Sequence, residues 1–311
     1  MQVHYTIDQL PAFTNAVITI GTFDGVHSGH RKIIDALVNE AVHVNGESVI
    51  ISFHPHPRKV VNPDEPLQLI NTLEEKISLL KETDVDHLVI VPFTPAFAAM
   101  DAEQYISDFL VNRFHPHTII IGYDHHFGKG RQGDFNLLSS KAETYGYRLL
   151  EIPKYLLDEI AVSSTKIRQA ILSSEIENAN RLLGYSFFFD GIVIHGDKLG
   201  RQLGYPTANL QNPDPDKIGL GYGVYAVNVE FDGFYKKGML SIGNRPTLQG
   251  SDERVEVNIF DWDQEIYGAR IKVIVQKFLR GQEKYESLEL MKEQLAKDKR
   301  DSLEVLEGLG N

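Results

Sequence analysis

The feature that most limits what this chain can fold into is a change of hydrophobic period near Leu183-Gly184. Before it, apolar runs at Ala16 to Ile20, Val49 to Phe53, His87 to Pro92, Thr118 to Ile121 and Tyr147 to Ile152 alternate with amphipathic segments. One segment carries Ile33, Ile34, Leu37, Val38, Ala41 and Val42 at helical spacing; another carries Leu73, Ile77 and Leu80 behind a Thr72/Glu75 capping-box spelling. Strand-helix-strand alternation closes a mainly parallel sheet, so residues 1–183 are expected to form a doubly wound α/β domain. After the change, Tyr225, Val227, Val229 and Phe231 alternate at period two, and Asp232-Gly233 spells a hairpin turn before Phe234 to Leu240. Val255, Val257 and Ile259 alternate again, as do Ile271, Val273 and Val275, which predicts a small all-β domain over residues 184–311. Helical spacing returns from Tyr285 to about Leu306, with Leu288, Met291 and Leu295 as the apolar stripe of a closing helix. No repeat or low-complexity linker intervenes, so the junction is expected to be short.

A length of 311 residues accommodates two such domains at roughly 150 residues each. The 31 Lys plus Arg against 43 Asp plus Glu leave a net charge of −12, which repels nucleic acid and anionic membrane surfaces as a whole. Any anion must therefore be held locally. With no Cys, disulfides, thiolate nucleophiles and cysteine-ligated zinc are excluded, and a reducing compartment fits. The start Met-Gln-Val-His-Tyr-Thr-Ile-Asp lacks a basic segment followed by an apolar run, so no secretory signal is expected. Nor does any stretch reach the roughly 18 to 20 apolar residues of a membrane span. Together these readings predict a cytoplasmic protein without membrane or nucleic-acid partners; they set no oligomeric state.

Directly after the first apolar run stands Gly21-Thr22-Phe23-Asp24-Gly25-Val26-His27-Ser28-Gly29-His30-Arg31, leading into the Ile33/Leu37 helix. Two imidazoles, glycines and an arginine thus fall at the C-terminal end of a strand and the N-terminus of a helix, where open α/β sheets bind ligands and backbone N–H groups favour phosphate. Val162-Ser163-Ser164-Thr165-Lys166-Ile167-Arg168 offers hydroxyls at a second helix start, suited equally to a phosphate or to plain capping, with Arg168 as a planar cationic donor. Gly128-Lys129-Gly130-Arg131-Gln132-Gly133 spells a dinucleotide-type Gly-x-Gly-x-x-Gly, but Asp124 to Phe127 separate it from the strand end, and a mobile phosphate-neutralising loop or a solvated turn is the better reading. The pairs His54/His56, His115/His117 and His125/His126 lack the spacing of a zinc helix motif, and read as turn histidines.

In the second half, Gly191 to Leu210 contains Gly196-Asp197-Lys198-Leu199-Gly200-Arg201-Gln202-Leu203-Gly204-Tyr205-Pro206-Thr207-Ala208-Asn209. Its glycines and cations suit a phosphate cradle, and the Thr207 hydroxyl and Asn209 amide oxygen are hard donors of the kind Mg²⁺ prefers. No Walker A loop occurs. Downstream, Glu256 sits in Val255-Glu256-Val257-Asn258-Ile259, facing away from the apolar set and available either to solvent or as a base.

These strings resemble the prokaryotic bifunctional riboflavin kinase/FAD synthetase family over nearly the whole chain. His27-Ser28-Gly29-His30 matches the His-x-Gly-His signature of nucleotidyltransferases, Ser163 to Arg168 the second nucleotide signature, and the string ending Pro206-Thr207-Ala208-Asn209 the riboflavin kinase signature. The resemblance implies a Rossmann-like nucleotidyltransferase domain over 1–183 that joins FMN and ATP into FAD and pyrophosphate, and a kinase barrel over 184–311 that converts riboflavin and ATP into FMN and ADP. It implies that His27, His30 and Arg168 stabilise charge at the reacting phosphate, with Gly21, Phe23, Asp24, Gly25, Arg31, Ser163, Ser164 and Thr165 completing the ATP site. Phe53, Pro55 and His56, with Asp124 and Phe127, would meet the flavin. In the kinase, Gly196, Lys198, Gly200, Arg201, Gly204, Pro206, Thr207 and Asn209 would hold ATP, Thr207 and Asn209 would ligate Mg²⁺, and Glu256 would be the base. The chain departs from the family pattern at His54, His125, His126, Asn244, Arg245 and Leu248. A monofunctional kinase with a degenerate first domain, and a flavin or nucleotide sensor without turnover, are the alternatives.

Overall fold

The computed structural model describes residues 1–153, 162–196, 199–247 and 250–309. They divide into two compact units, residues 1–67 with 73–163, and residues 68–72 with 164–311.

The first unit is built on strands β1 (Gln2–His4), β2 (Val17–Ile20), β3 (Ser48–His54), β4 (His87–Pro92), β5 (Thr118–Gly122) and β6 (Arg148–Ile152). All pair in parallel, in the order β1-β4-β3-β2-β5-β6. The central strands are Val/Ile runs buried along their length, as a sheet covered on both faces requires. Helices α1 (Ser28–His43), α2 (Leu73–Lys81) and α3 (Phe135–Tyr145) and a helical run over 102–114, π-wound at Tyr105–Val111, supply the crossovers. The order reverses between β2 and β5, so the turns that follow β2, β3 and β5 gather at one end of the sheet, around its switch point. Three of the segments singled out in this half follow those three strands: Gly21 onward after β2, Pro55-His56 after β3, and Asp124 to Phe127 after β5. β1 has no counterpart in the sequence reading, because three half-exposed residues leave no periodicity to detect.

The second unit is a closed barrel in the order β10-β11-β8-β7-β12-β9, formed by β7 (Phe188–Ile194), β8 (Ala208–Gln211), β9 (Gly223–Phe231), β10 (Phe234–Thr247), β11 (Gly250–Ile259) and β12 (Arg270–Arg280). Closure leaves no unpaired edge. Two helices, α4 (Ser164–Leu172) and α5 (Ile176–Leu183), belong to the same unit; the Asn180 amide donates to the Val275 carbonyl and accepts from the Phe187 N–H. Segment 68–72 is tied in by buried Lys217, whose ammonium donates to the carbonyls of Ile70 at 2.7 Å and Phe188 at 2.8 Å.

The C-terminal helix α6 (Leu288–Gly308) is fixed by a bidentate pair, Arg280 Nε and Nη2 to Asp298 at 2.9 and 2.7 Å, with Gln294 also donating to the Asp298 carboxylate. Removing one partner of a buried pair leaves the other uncompensated, so Asp298→Ala is expected to cost about 3 kcal/mol. Urea unfolding followed by the fluorescence of Trp262, the only tryptophan, will show the loss as a lower midpoint.

Candidate active sites

In the α/β unit the turn after β2 is forced by sequence. Phe23 and Val26 are buried side chains held at positive φ (48° and 35°), with Gly25 at 89° between them, where its missing Cβ avoids strain. The Val26 N–H closes the turn on the Phe23 carbonyl at 3.1 Å. Two apolar anchors thus bind a contorted turn to the core and aim the start of α1. His27 is the N-cap: its Nδ1 accepts the His30 N–H at 3.3 Å, which leaves Nε2 as the protonated, donating nitrogen of the neutral ring. The rings of His27 and His30 stack at 3.7 Å and 14°. Burial depresses His27 to about 4 against the attraction of Asp24, and burial with the neighbouring His27 and Lys76 holds His30 well below the ordinary histidine range. Both rings are therefore neutral at pH 7. His30 Nδ1 and Arg31 Nε are buried without a partner among the described residues, the state expected of groups that meet a ligand.

Phe53 and Phe127 are turned inward. Phe53 packs against Phe93 and Phe97, and Phe127 stacks on Tyr105 at 4.9 Å. His56 caps a short helix (Pro57–Val61) by accepting the Arg58 N–H, while Asp124 is exposed beyond β5. Phe127 and Gly133 bridge each other through two backbone hydrogen bonds of 3.0 and 2.9 Å, so the Gly128-to-Gly133 string is a small closed loop. It is not a strand-to-helix phosphate turn, and α3 starts later, at Phe135, on an Asp134 cap.

Ser164, Thr165 and Arg168 begin α4 in the second unit; Ser163 ends the first. Arg168 Nε donates to the Gln68 carbonyl at 2.8 Å.

In the barrel, a small cavity is lined by Gly196, Arg201, Pro206, Thr207, Asn209 and Tyr267. The turn is tight: the Tyr205 N–H returns to the Gly200 carbonyl at 2.8 Å, and a Cβ on Gly200 would strike the Tyr205 carbonyl and press on Thr207 Oγ1. A Cβ on Gly196 would meet the Asn209 side-chain amide and displace it, so Gly200 is required by close backbone approach and Gly196 leaves room for Asn209. Gly204 turns the chain at φ 84° just before Tyr205. Register then does what sequence could not show. Glu256 on β11 lies directly opposite Asn209 on β8, which places carboxylate and amide on one face of the barrel wall. Asn258, two residues on and 6% exposed, donates to the Pro206 carbonyl at 2.6 Å and holds the Pro206-Thr207 turn against that face. Arg201 pairs with Glu265 at 3.3 Å, and His195 lies on the Tyr267 ring at 4.0 Å. Lys198 and Leu248 lie outside the described residues. A second cleft, of about 370 Å³, shares Pro206 with this cavity and is lined by Tyr205, Asn258, Phe260, Trp262 and Lys299. Sequence reasoning missed this cleft and Asn258; a polar residue recurring at period two after Glu256 was the available signal. Among the described residues, no group of three His, Asp or Glu side chains is placed to hold a metal ion, and no helix is long and apolar enough to cross a membrane.

A parallel α/β unit carrying a stacked His-x-Gly-His turn, followed by a closed barrel with a Thr/Asn/Glu face, is the architecture of a two-domain transferase. The family model of FAD synthetase matches residues 10–166 and that of riboflavin kinase residues 183–306. The chain is 36% identical over 297 residues to the bifunctional riboflavin kinase/FMN adenylyltransferase of Escherichia coli (strain K12), covering 94% of this chain and 93% of the relative. It is 34% identical to the Bacillus subtilis (strain 168) enzyme of that name, covering 98% and 96%. A solved structure described as a macrolide-efflux protein from Streptococcus pneumoniae superposes with a TM-score of 0.86 at 29% identity, covering 97% of this chain and 98% of the other. The chain belongs to the bifunctional riboflavin kinase/FMN adenylyltransferase family.

The depressed histidines make acid stability a readout of the first site. Because unfolding frees them to bind protons near pH 6.5, stability is full above that pH and falls as pH drops toward 4, by about 1 to 3 kcal/mol for a pair of this kind. Thermal scans between pH 4.5 and 8 are expected to show this slope, and His30→Gln to flatten it.

Proposed function

We propose that the chain makes FAD from riboflavin in two steps at two separate sites, with residues 184–311 as the kinase and residues 1–183 as the adenylyltransferase. The observation that carries this reading is the pair of preorganised constellations, His27 stacked on His30 at a helix N-terminus and Glu256 opposite Asn209 in the barrel.

In the kinase, Glu256 accepts the proton of the ribityl terminal hydroxyl as that oxygen attacks the γ-phosphorus of ATP and the bond to the β-phosphate oxygen breaks, giving FMN and ADP. Thr207 and Asn209 present a hydroxyl and an amide oxygen to one small cavity, a donor set that fits Mg²⁺. The ion, when bound, neutralises phosphate charge. Arg201 lines the same cavity, and Gly196 and Gly200 let backbone and phosphate approach.

In the adenylyltransferase, an FMN phosphate oxygen attacks the α-phosphorus of ATP and pyrophosphate leaves. Neutral His27 donates through Nε2 and His30 stacks behind it, while the N-terminus of α1 and Arg31 add positive potential where charge develops. Asp124, Pro55 and His56 face the flavin, and Phe53 and Phe127 support those segments from the core. The cytoplasm is the proposed compartment, with which the lack of cysteine is compatible.

Purified protein given riboflavin, ATP and Mg²⁺ is expected to yield FMN and then FAD by chromatography. Absence of both flavin products would overturn the enzyme reading, and FMN alone would select a monofunctional kinase. Glu256→Gln is expected to lower riboflavin phosphorylation by about 100-fold or more while sparing FMN adenylylation. Equal loss of both activities would contradict separate sites.

A further inference from the structure

Lys76 on α2 is buried, with 7% of its surface exposed, although lysine is among the residues least often found inside. Its ammonium donates to the Thr22 carbonyl at 2.7 Å and lies 3.5 Å from Ser52 Oγ; the Ser52 hydroxyl donates to the same carbonyl at 3.2 Å. Ser52, on β3, is fully buried, and Asp24, 1% exposed, attracts the ammonium. Burying an ammonium costs several kcal/mol before compensation, and an apolar side chain of similar length would fill the space without that cost. Packing alone therefore gives no reason for a cation here.

The position supplies one. Thr22 is the residue before Phe23, the first of the positive-φ anchors of the His-x-Gly-His turn. A cation and a hydroxyl converging on the Thr22 carbonyl fix the peptide from which the strained turn departs. Through the turn they fix the start of α1, where His27 and His30 stand. Burial is the main reason that protonation of His30 is disfavoured; His27 and then the Lys76 charge add to it. Burial holds Lys76 itself at about 8, against the pull of Asp24, so the ammonium form dominates at pH 7.

We propose that Lys76 is a positioning residue of the adenylyltransferase site: with the Ser52 hydroxyl it pins the Thr22 carbonyl beneath the nucleotide turn. The inference rests on the reading of this turn as the adenylyltransferase site.

Two full-length variants separate charge from packing. Lys76→Met keeps the apolar stem and loses the cation; Lys76→Arg keeps the cation and disturbs the packing more. Each is assayed for FMN adenylylation with Mg-ATP, for riboflavin phosphorylation in the same preparation, and for the titration of the His30 ring by NMR, assigned against His30→Gln. Lys76→Met is expected to lower adenylylation about 100-fold, mainly in kcat, with riboflavin phosphorylation unchanged within about twofold and the His30 midpoint raised. Lys76→Arg is expected to recover at least about tenfold of that loss and to keep the His30 midpoint low. Wild-type adenylylation by Lys76→Met, an arginine variant no better than the methionine one, or parallel loss of both activities would overturn the proposal. Failure of the wild-type chain to make FAD from FMN would instead remove the reading on which it rests.

Discussion

A chain with a net charge of −12 that handles ATP twice has to create positive potential at two points against its own average field. The structure does this with geometry more than with numbers of cations. At the first site the positive end of α1 is fixed by two apolar anchors and a capping imidazole, and the histidines behind it are kept neutral by burial. At the second, glycines at Gly196 and Gly200 allow a turn so tight that hydroxyl and amide donors line one small cavity. Each arrangement carries its own cost: backbone held at positive φ in one, polar side chains crowded together in the other.

Both sites depend on where the sheet ends. The parallel sheet collects the turns after β2, β3 and β5 at one edge because its strands run the same way, and its switch point lies there, where the order reverses between β2 and β5. The barrel has no such switch point and uses cross-strand register: Glu256 opposite Asn209 is a consequence of how β11 pairs with β8. Asn258 then ties that face to the Pro206 carbonyl, so wall and turn are one construction.

Much of this was legible from the residues. The Val/Ile runs of β2 to β5 and the alternation in β9 and β12 exceed any competing pattern, and the strings at His27 and Thr207 stand at strand ends where ligand chemistry is expected. The rest depends on tertiary placement. Phe53 and Phe127 sit within the site motifs, yet their rings belong to an aromatic core that only the fold assembles. Helices α4 and α5 follow the α/β pattern in sequence but cluster with the barrel, because their polar contacts, such as Asn180 with Val275, are made there. The Gly128-to-Gly133 string has dinucleotide spelling, but its bridge to Phe127 closes it into a loop. Lys76 reads as an ordinary helical lysine until the burial of its neighbours is known.

The central claim is that two chemically independent sites share one chain, linked by FMN. Mixing Glu256→Gln protein with His30→Asn protein tests it directly, since each variant is expected to lose one activity and keep the other. With riboflavin, ATP and Mg²⁺, the His30→Asn protein alone should stop at FMN, the Glu256→Gln protein alone should leave riboflavin unchanged, and the mixture should form FAD. A mixture that forms no FAD, although each variant retains its own half-reaction, would contradict the account.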